Sequence, residues 1–400
     1  MISDHFIPSV LLFDGDTPES VMGRYSDFYL KLVCVLAGSL VSLAFALIRR
    51  FFIRRRFARH YGCRPVARSY NRDPFLGLDT IPATIRALRQ HKVLEKSCER
   101  FRTYGNTFAV KELLNRAILT VEPENIKAIL SINFRDYGIG HRLGPFKPLL
   151  GAGIFDTDGD HWASSRALIR PSFTRDQIAD LTLFEKLIQE LFSILPRDGQ
   201  TVDLQDLFFR YTMDSATESL FGLSVHSLMQ NQPELNFAEA FDYAQGAAIT
   251  RATLGPLSVL YRDPKADKCY RICRAFAQQF VEEAVQTVAS EKEDTERGQA
   301  ETKHHKYILS HELARRISDK HRILDELMNV LLAGRDTTAC LLSNLFFMLA
   351  KNPAVWDKLR EEISGLQGRA PTYEELRNLK YVQCCINECE KAPLLVSLPH

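Results

Sequence analysis

Length and composition are those of a sizeable globular protein. The chain has 400 residues, of which 46% are hydrophobic and 25% charged, and this is enough apolar material for a large core. The formal net charge is +2, and six arginines between residues 49 and 59 account for more than all of it. The positive charge is therefore local, which argues against a nucleic-acid-binding surface, and we expect no nucleic-acid partner.

The first element in the chain is a predicted membrane anchor. Residues 28–48 are apolar apart from Lys31 and a few small polar residues, and at about 1.5 Å per residue such a helix crosses a hydrocarbon core of about 30 Å. Acidic residues precede this run and the six arginines follow it, so we predict a lumenal segment at 1–27 and a cytoplasmic remainder. The alternatives are a buried core helix, which the basic flank disfavours, and a cleaved signal peptide, which would need a basic n-region. We therefore predict a single-pass protein of the endoplasmic-reticulum membrane that contacts membrane lipid.

Beyond the anchor, the pattern predicts a mainly α-helical domain with a small β-sheet. Residues 49–78 are interpreted as a basic flank and a linker, because the Pro and Gly positions after residue 60 carry no helical period. Two apolar and β-branched runs, at 107–110 and 117–121, are typical of paired strands. A charge-rich connector is expected at 290–321. Helical patterns are found at 125–130, 161–169, 177–195, 204–221, 237–251 and 265–289.

The longest helical pattern contains residues that weaken it. Apolar residues recur at helical spacing over 323–350, but positions 333–338 read Ala-Gly-Arg-Asp-Thr-Thr. Gly and Thr are poor helix formers, so the stretch indicates a functional site. In one interpretation a helix ends at Gly334 and another begins with Asp336 or Thr337 as its N-cap. In the other, Gly334 opens a groove in a continuous helix, where the Asp336 carboxylate and the Thr337 hydroxyl pass protons to a small ligand.

These six residues resemble the oxygen-activating helix of the cytochromes P-450, the haem-thiolate monooxygenases, whose motif is Ala/Gly-Gly-x-Asp/Glu-Thr-Thr/Ser. Every defined position of that motif is met. The resemblance implies that Asp336 and Thr337 are catalytic. It also implies that Ala333 and Gly334 belong to the surface that binds the haem cofactor.

A second match lies upstream. Trp162 and Arg166 have the i, i+4 spacing that places both on one face of a helix, and they resemble the family's Trp-x-x-x-Arg helix, in which the two side chains hold a haem propionate. The chemistry is suitable, because a guanidinium forks onto a carboxylate and an indole NH adds one donor. Taken alone, the pair would more often be a surface Arg beside a core Trp. Its place in the chain, well ahead of the long helix, favours the cofactor role.

The C-terminal part departs from the family. Thr372 and Glu375 read as a capping box, and the helix predicted after it carries Glu388 where the family has Glu-x-x-Arg, so Glu388 is expected to be half of a structural ion pair. Lys391 replaces the arginine and lacks its bidentate fork. Residues 389–400 diverge, and the Phe-x-x-Gly-x-Arg-x-Cys-x-Gly loop that supplies the family's axial thiolate does not follow. None of the nine cysteines has such a context, so we predict no metal ligand and free, mostly buried thiols.

The resemblance implies a function together with an alternative. It implies a monooxygenase domain, incomplete at 79–388, that hydroxylates a long-chain apolar substrate with O2 and with electrons from NADPH delivered by NADPH-cytochrome reductase. The contexts at 136–140, 148–155 and 329–332 resemble the fungal membrane-bound branch that acts on alkanes and fatty acids, and lipid-like secondary metabolites are alternative substrates. Helices at 237–259 would roof the channel, although a packing stripe would look the same. The alternative function is that of an inactive, C-terminally truncated fragment, at most a membrane-anchored binding protein.

Overall fold

The computed structural model describes residues 18–70, 73, 77, 79–90, 92–112, 115–173, 180–229, 237–296 and 308–391. They fall into two compact units, one with the residues up to 86 and 96–122, the other with 87–95 and the residues from 123 onward. The expected lumenal segment up to residue 17, the start of the helical pattern at 177–179 and most of the divergent tail, 392–400, lie outside the described residues.

The first unit contains the N-terminal helix and the sheet. Helix α1 spans Pro18–His60, and from Leu30 onward it is long and apolar enough to cross a membrane, with none of its apolar window buried against protein. The sheet has the order β1-β2-β3, in which β1 (Ala67–Arg68) pairs in parallel with β2 (Thr107–Glu112), and β2 pairs antiparallel with β3 (Asn115–Thr120). The two predicted strands are confirmed. The linker prediction missed β1, because two residues are too few to show a period.

Two further helices contribute residues to both units. They are α2 (Thr80–Arg89) and α3 (Val93–Tyr104). The sequence pattern did not predict them. Helix α3 has no fully buried residue, and Phe101 and Tyr104 pack on Phe108 along one half-buried face.

The second unit is helical, which confirms the predicted fold class. The patterns predicted between residues 161 and 251 correspond to helices within a few residues, whereas the last helix continues to Glu296, into the expected connector, which also contains the helix Leu309–Arg316. The capping box of Thr372 and Glu375 is formed at the start of a short helix. The helices are α4 (Pro123–Lys127), α5 (Leu143–Leu150), α6 (Gly159–Ile169), α7 (Thr182–Ile194), α8 (Leu204–Phe221), α9 (Phe237–Leu254), α10 (Pro264–Glu296), α11 (Leu309–Arg316), α12 (Lys320–Lys351), α13 (Pro353–Ser364), α14 (Tyr373–Asn378) and α15 (Lys380–Lys391).

The core of the second unit forms around the N-terminal half of α12. Ile323, Leu327 and Leu331 are fully buried there against apolar residues of α8, α9 and α10. Phe237 and Phe241 of α9 belong to the same buried cluster. These two phenylalanines therefore pack in the core, which favours the packing-stripe alternative for them over the roof of a channel.

Helix α12 is continuous through the Gly-Arg-Asp-Thr-Thr stretch. The interpretation in which one helix ends at Gly334 is therefore wrong. The Thr337 hydroxyl donates a hydrogen bond to the Ala333 carbonyl at 2.7 Å, one turn earlier in the same helix. The backbone of Gly334 is exposed on one side, and on the other a Cβ atom would lie 3.7 Å from that of Ala216 in α8. The glycine thus lies where α8 approaches α12.

Candidate active site

The residues of the oxygen motif lie on two faces of α12. Thr337 and Gly334 are exposed and Ala333 is half-buried, so together they form an open strip on the helix. Asp336 and Arg335 point toward α9 instead, because successive helical residues are about 100° apart. Among the hydrogen bonds of the described chain, none joins Asp336 to Thr337. The structure therefore places the acid and the alcohol next to each other in sequence but on different sides of the helix.

The Asp336 carboxylate is held by two neighbours. Its Oδ1 accepts from Arg335 Nη1 at 3.1 Å, and its Oδ2 accepts from the amide of Gln245 on α9. Arg335 is 2% exposed, lies against two aromatic rings and also forms an ion pair with Asp242 of α9. These contacts attach α9 to α12 at the position of the acid.

Burial raises the pKa of Asp336 above its ordinary value, and the neighbouring Arg335 and Gln245 oppose this rise. A carboxyl that keeps its proton to a higher pH is better suited to give and take protons near neutrality. The Gln245 Oε1 atom is buried and has no hydrogen-bond partner within the described residues, so one acceptor stays available beside the acid.

The two predicted propionate ligands lie together on α6. The Arg166 guanidinium is 5.6 Å from the centre of the Trp162 ring, and that ring packs on Phe134 at 5.1 Å. Arg166 is exposed, and in the described part of the chain neither its guanidinium nor the Trp162 indole NH has a hydrogen-bond or ion-pair partner. Both groups are therefore available to an anion, and they share one face of α6, as the i, i+4 spacing predicted.

Helix α6 is attached to the same face of α12 that leads to the open strip. Buried Ser165 donates to Glu326 at 2.5 Å. Glu326, Ala333 and Thr337 are separated by seven and four residues, so they share one helix face, and Ala333 lies about 10 Å further along the axis than Glu326. The helix that carries Trp162 and Arg166 is thus bonded to α12 at Glu326. Further along the same face of α12 lie the open strip residues Ala333 and Thr337.

Comparison with known proteins decides the family. The model of the cytochrome P450 family matches residues 81–389. This chain belongs to the cytochrome P450 family. It is 42% identical over 381 residues to the cytochrome P450 monooxygenase himC of Aspergillus japonicus, with 93% of this chain and 67% of the relative covered.

Two further P450 relatives are also fungal. Cytochrome P450 monooxygenase fsdH of Fusarium heterosporum is 40% identical, with 89% of this chain and 64% of the relative covered. Cytochrome P450 52A9 of Candida maltosa is 38% identical, with 84% and 67% covered. The resemblance to fungal P450 proteins is thereby confirmed, and the chain spans about two thirds of the length of the curated relatives it matches.

Membership of the P450 family implies a haem cofactor, and the residues present fit one. The guanidinium of Arg166 and the indole NH of Trp162 are unpaired in the described structure and suit a propionate. Ala333 and Gly334 put no bulky side chain on the open strip of α12, which leaves room for a flat macrocycle. The predicted roles of Trp162, Arg166, Ala333 and Gly334 agree with this placement and stay predictions.

The remaining predicted residues are less informative. Glu388 is exposed on α15 and borders an apolar groove of about 510 Å³ between α12, α13 and α15, while the side chain of Lys391 lies outside the described residues. All nine cysteines are free, and five of them are buried, as in Cys273, where burial raises the pKa of the thiol. Within the described chain, no group of three or more His, Cys, Asp or Glu side chains is arranged to hold a metal ion.

Sequence reasoning missed the polar residues that connect these elements. Arg322, Asp325, Glu326 and Asn329 recur at i, i+3, i+4 and i+7 in the half of α12 that is otherwise apolar. That spacing puts them on one face, and it was the available signal, because polar residues in a core pattern need partners. Gln245 gave no such signal, since its partner Asp336 is 91 positions away.

One buried carboxylate precedes α6. Asp156 is 2% exposed, and neither of its carboxylate oxygens has a hydrogen-bond partner within the described residues. Its nearest cation is Arg142, whose Nε lies 3.6 Å from Oδ1. Burial raises the pKa of Asp156 from 3.8 to about 6, with Arg142 acting in the opposite direction. The ionised form is thus disfavoured in the folded protein.

We expect Asp156→Asn to stabilise the protein at pH 8 by about 3 kcal/mol. The folded-state pKa lies above the unfolded one, so the stability that Asp156 contributes is complete below about pH 4 and is lost as pH rises to about 6. The stability advantage of the variant should therefore decrease as the pH falls from about 6 and be absent below about pH 4. Thermal midpoints at pH 4, 6 and 8 measure this, with the exposed Asp160→Asn as control, and a pH-independent difference would contradict the assignment.

Proposed function

We propose that this protein is a haem-dependent monooxygenase that hydroxylates a long-chain apolar substrate with O2 and with electrons from NADPH. One observation carries the proposal: the free donors of Trp162 and Arg166 are tied to the face of α12 that leads to Thr337. A half-buried acid with a raised pKa lies one residue from that threonine. An anion-binding pair on α6 is thereby combined with the open strip and a proton source on α12.

Each side chain has a defined task. Trp162 and Arg166 hold a propionate, and Ala333 and Gly334 keep the open strip of α12 free of bulky side chains. When bound, haem supplies the iron at which O2 is activated. The Thr337 hydroxyl donates its hydrogen bond to the Ala333 carbonyl, so its oxygen lone pairs can accept a hydrogen bond on the open face. Asp336 holds a proton behind the helix and passes it forward through water, because no direct bond links it to Thr337.

The apolar substrate is supported by exposed apolar side chains of the second unit. Leu130 and Ile132, which precede α6, are 68% and 67% exposed, and Val259 and Leu260, between α9 and α10, are 80% and 78% exposed. Exposed apolar side chains of this kind are compatible with a surface that binds lipid-like molecules. We therefore favour alkanes and fatty acids over polar substrates, with lipid-like secondary metabolites as the next choice.

Haem binding is the first test. The purified chain should bind hemin, and Arg166→Ala should weaken binding about tenfold through loss of a charge-assisted hydrogen bond. Arg360→Ala is the matched control, because Arg360 is exposed on α13 and has no ion pair in the described structure. Absorbance titration in the Soret region measures both affinities. Equal affinities of the Arg166 and Arg360 variants would contradict the propionate role.

The carbon monoxide difference spectrum of the reduced, hemin-loaded chain separates the two candidate functions. A thiolate-type Soret band would refute the interpretation of the chain as an inactive fragment. Hemin binding without that band would support it for these 400 residues. The measurement does not depend on knowing the substrate.

The relay role of Thr337 is testable by substitution. In a chain extended by the C-terminal part of a matched relative, Thr337→Ala should lower hydroxylated product per NADPH consumed about tenfold or more. Ser343→Ala is the matched control and should leave this ratio unchanged, because the Ser343 hydroxyl also donates to its own helix, to the Ala339 carbonyl, but lies outside the oxygen motif. The assay uses NADPH, NADPH-cytochrome reductase and dodecanoic acid as the probe. Full coupling in the Thr337 variant would end the relay assignment, and failure to hydroxylate dodecanoic acid or a long alkane would end that of the substrate class.

We propose that α1 anchors the protein in the endoplasmic-reticulum membrane, with the N-terminus in the lumen. The proposal rests on the exposed apolar helix and on the arginines that follow it. The full chain should stay in the pellet after alkaline carbonate extraction, and a variant that lacks residues 1–48 should not. A glycosylation acceptor added at the N-terminus should be modified. An unmodified acceptor in a membrane-embedded chain would reverse the orientation.

A further inference from the structure

The N-terminal half of α12 has a polar stripe inside the core. The four side chains of this stripe are Arg322, Asp325, Glu326 and Asn329, and the last two are fully buried. All four bond to the segment 150–165, which includes the entry to α6 and its first turns. Placing polar groups in a core is costly unless they are paired, so this stripe must have specific partners.

Glu326 is the centre of these contacts. Its Oε1 accepts from the Ser165 hydroxyl at 2.5 Å and from Arg322 Nε at 2.8 Å. Arg322 Nη2 also donates to the Ser165 oxygen at 2.9 Å, so the three side chains form a closed triangle. A carboxylate, a guanidinium and a hydroxyl thus meet where α6 contacts α12.

His161 provides a second contact one turn earlier. Its Nδ1 faces Arg322 Nη1 at 3.4 Å, and its Nε2 donates to the Ala152 carbonyl at 2.8 Å. Because arginine can only donate, Nδ1 must accept, and the imidazole proton lies on Nε2. His161 and Ser165 are four residues apart and face α12, whereas Trp162 and Arg166 each follow one residue later. The two contacts therefore fix the direction in which Trp162 and Arg166 point.

The loop at 151–155, which precedes α6, is also bonded to α12. Asp325 accepts from the Ala152 NH at 2.8 Å, and Asn329 accepts from the Phe155 NH at 3.0 Å. A Cβ atom at Gly151 would overlap the Asp325 carboxylate, and one at Gly153 would overlap the Asn329 amide. The loop thus lies against α12 with no space for a side chain at these glycines, and α6 cannot shift along α12 without breaking these bonds.

We propose that Glu326, with Ser165 and Arg322, is a positioning residue of the haem site: it fixes the rotation of α6 and so aims Trp162 and Arg166 at a propionate. The inference rests on the proposed function for the identity of the ligand. It does not rest on it for the orientation of α6, which can be measured without haem. Glu326 itself touches neither a cofactor nor a substrate.

The experiment uses Trp162 as the reporter. The chain has two tryptophans, so Trp356→Phe leaves Trp162 as the single fluorophore. In this background, Ser165→Ala and Glu326→Leu remove the triangle, and Glu326→Gln keeps an acceptor oxygen. Ser215→Ala is the matched control, because Ser215 is a buried serine that bonds only within its own helix, to Thr212. Circular dichroism and thermal midpoints establish that each variant folds.

Two readouts are expected to change together. Without haem, acrylamide quenching of Trp162 should rise toward that of an exposed indole in Ser165→Ala and Glu326→Leu, and less in Glu326→Gln. With hemin, the first two variants should bind about tenfold more weakly, as is typical when partners of ligating residues are removed. The Ser215 variant should match the parent in both readouts.

The outcomes separate the inference from the proposed function. If Ser165→Ala and Glu326→Leu lower the thermal midpoint but keep parental quenching and hemin affinity, the triangle has only a structural role and the inference is overturned. If the parent chain does not bind hemin while quenching changes as expected, the proposed function fails in this chain and the orientation of α6 by Glu326 stands.

Discussion

The structure of the site depends on the docking of α6 against the N-terminal half of α12. The fully buried carboxylate of Glu326 pairs with Arg322 and Ser165 through Oε1, while Oε2 has no hydrogen-bond partner among the described residues. Removal of one partner from such a buried pair typically costs about 3–5 kcal/mol. The same turns of α12 carry Ile323 and Leu327, which are buried in the apolar core. Sliding or rotating α12 would therefore break polar and apolar contacts together. Its register relative to α6 is fixed by both.

This register lets one helix serve three neighbours. One face of α12 holds α6, a second packs in the core, and a third presents Asp336 and Arg335 to α9. The strip at Ala333 and Thr337 remains open because no described element covers it. Periodicity alone produces this division, since residues 100° apart must face different partners. The weak helix formers at 334–338 are tolerated because tertiary contacts on the other faces keep the helix continuous.

The sequence predicted what local geometry controls. Helix α8 begins and ends where its pattern does, because Asp203 caps its first turn and Gly222 ends it in the left-handed conformation. The pairing of Trp162 with Arg166 followed from i, i+4 spacing in the same way. What could not be predicted was the choice of partner: a pattern marks Phe241 as facing inward but does not say whether a core or a channel lies there. The bond from Gln245 to Asp336 and the triangle at Glu326 join residues distant in sequence, so no local rule contains them.

The variable position of the oxygen motif adds a constraint particular to this chain. Arg335 is almost fully buried and is shared by two carboxylates, those of Asp242 and Asp336. With both acids ionised, this contact between α9 and α12 carries one excess negative charge, and burial makes the Asp336 charge the costlier one to keep. A proton on Asp336 balances the contact, which is the direction in which its pKa is shifted. Burial opposes loss of that proton, whereas the hydrogen bonds that Arg335 and Gln245 donate to the carboxylate favour it. Protonation of Asp336 is thus coupled to how firmly α9 holds α12, a link that the family motif alone does not contain.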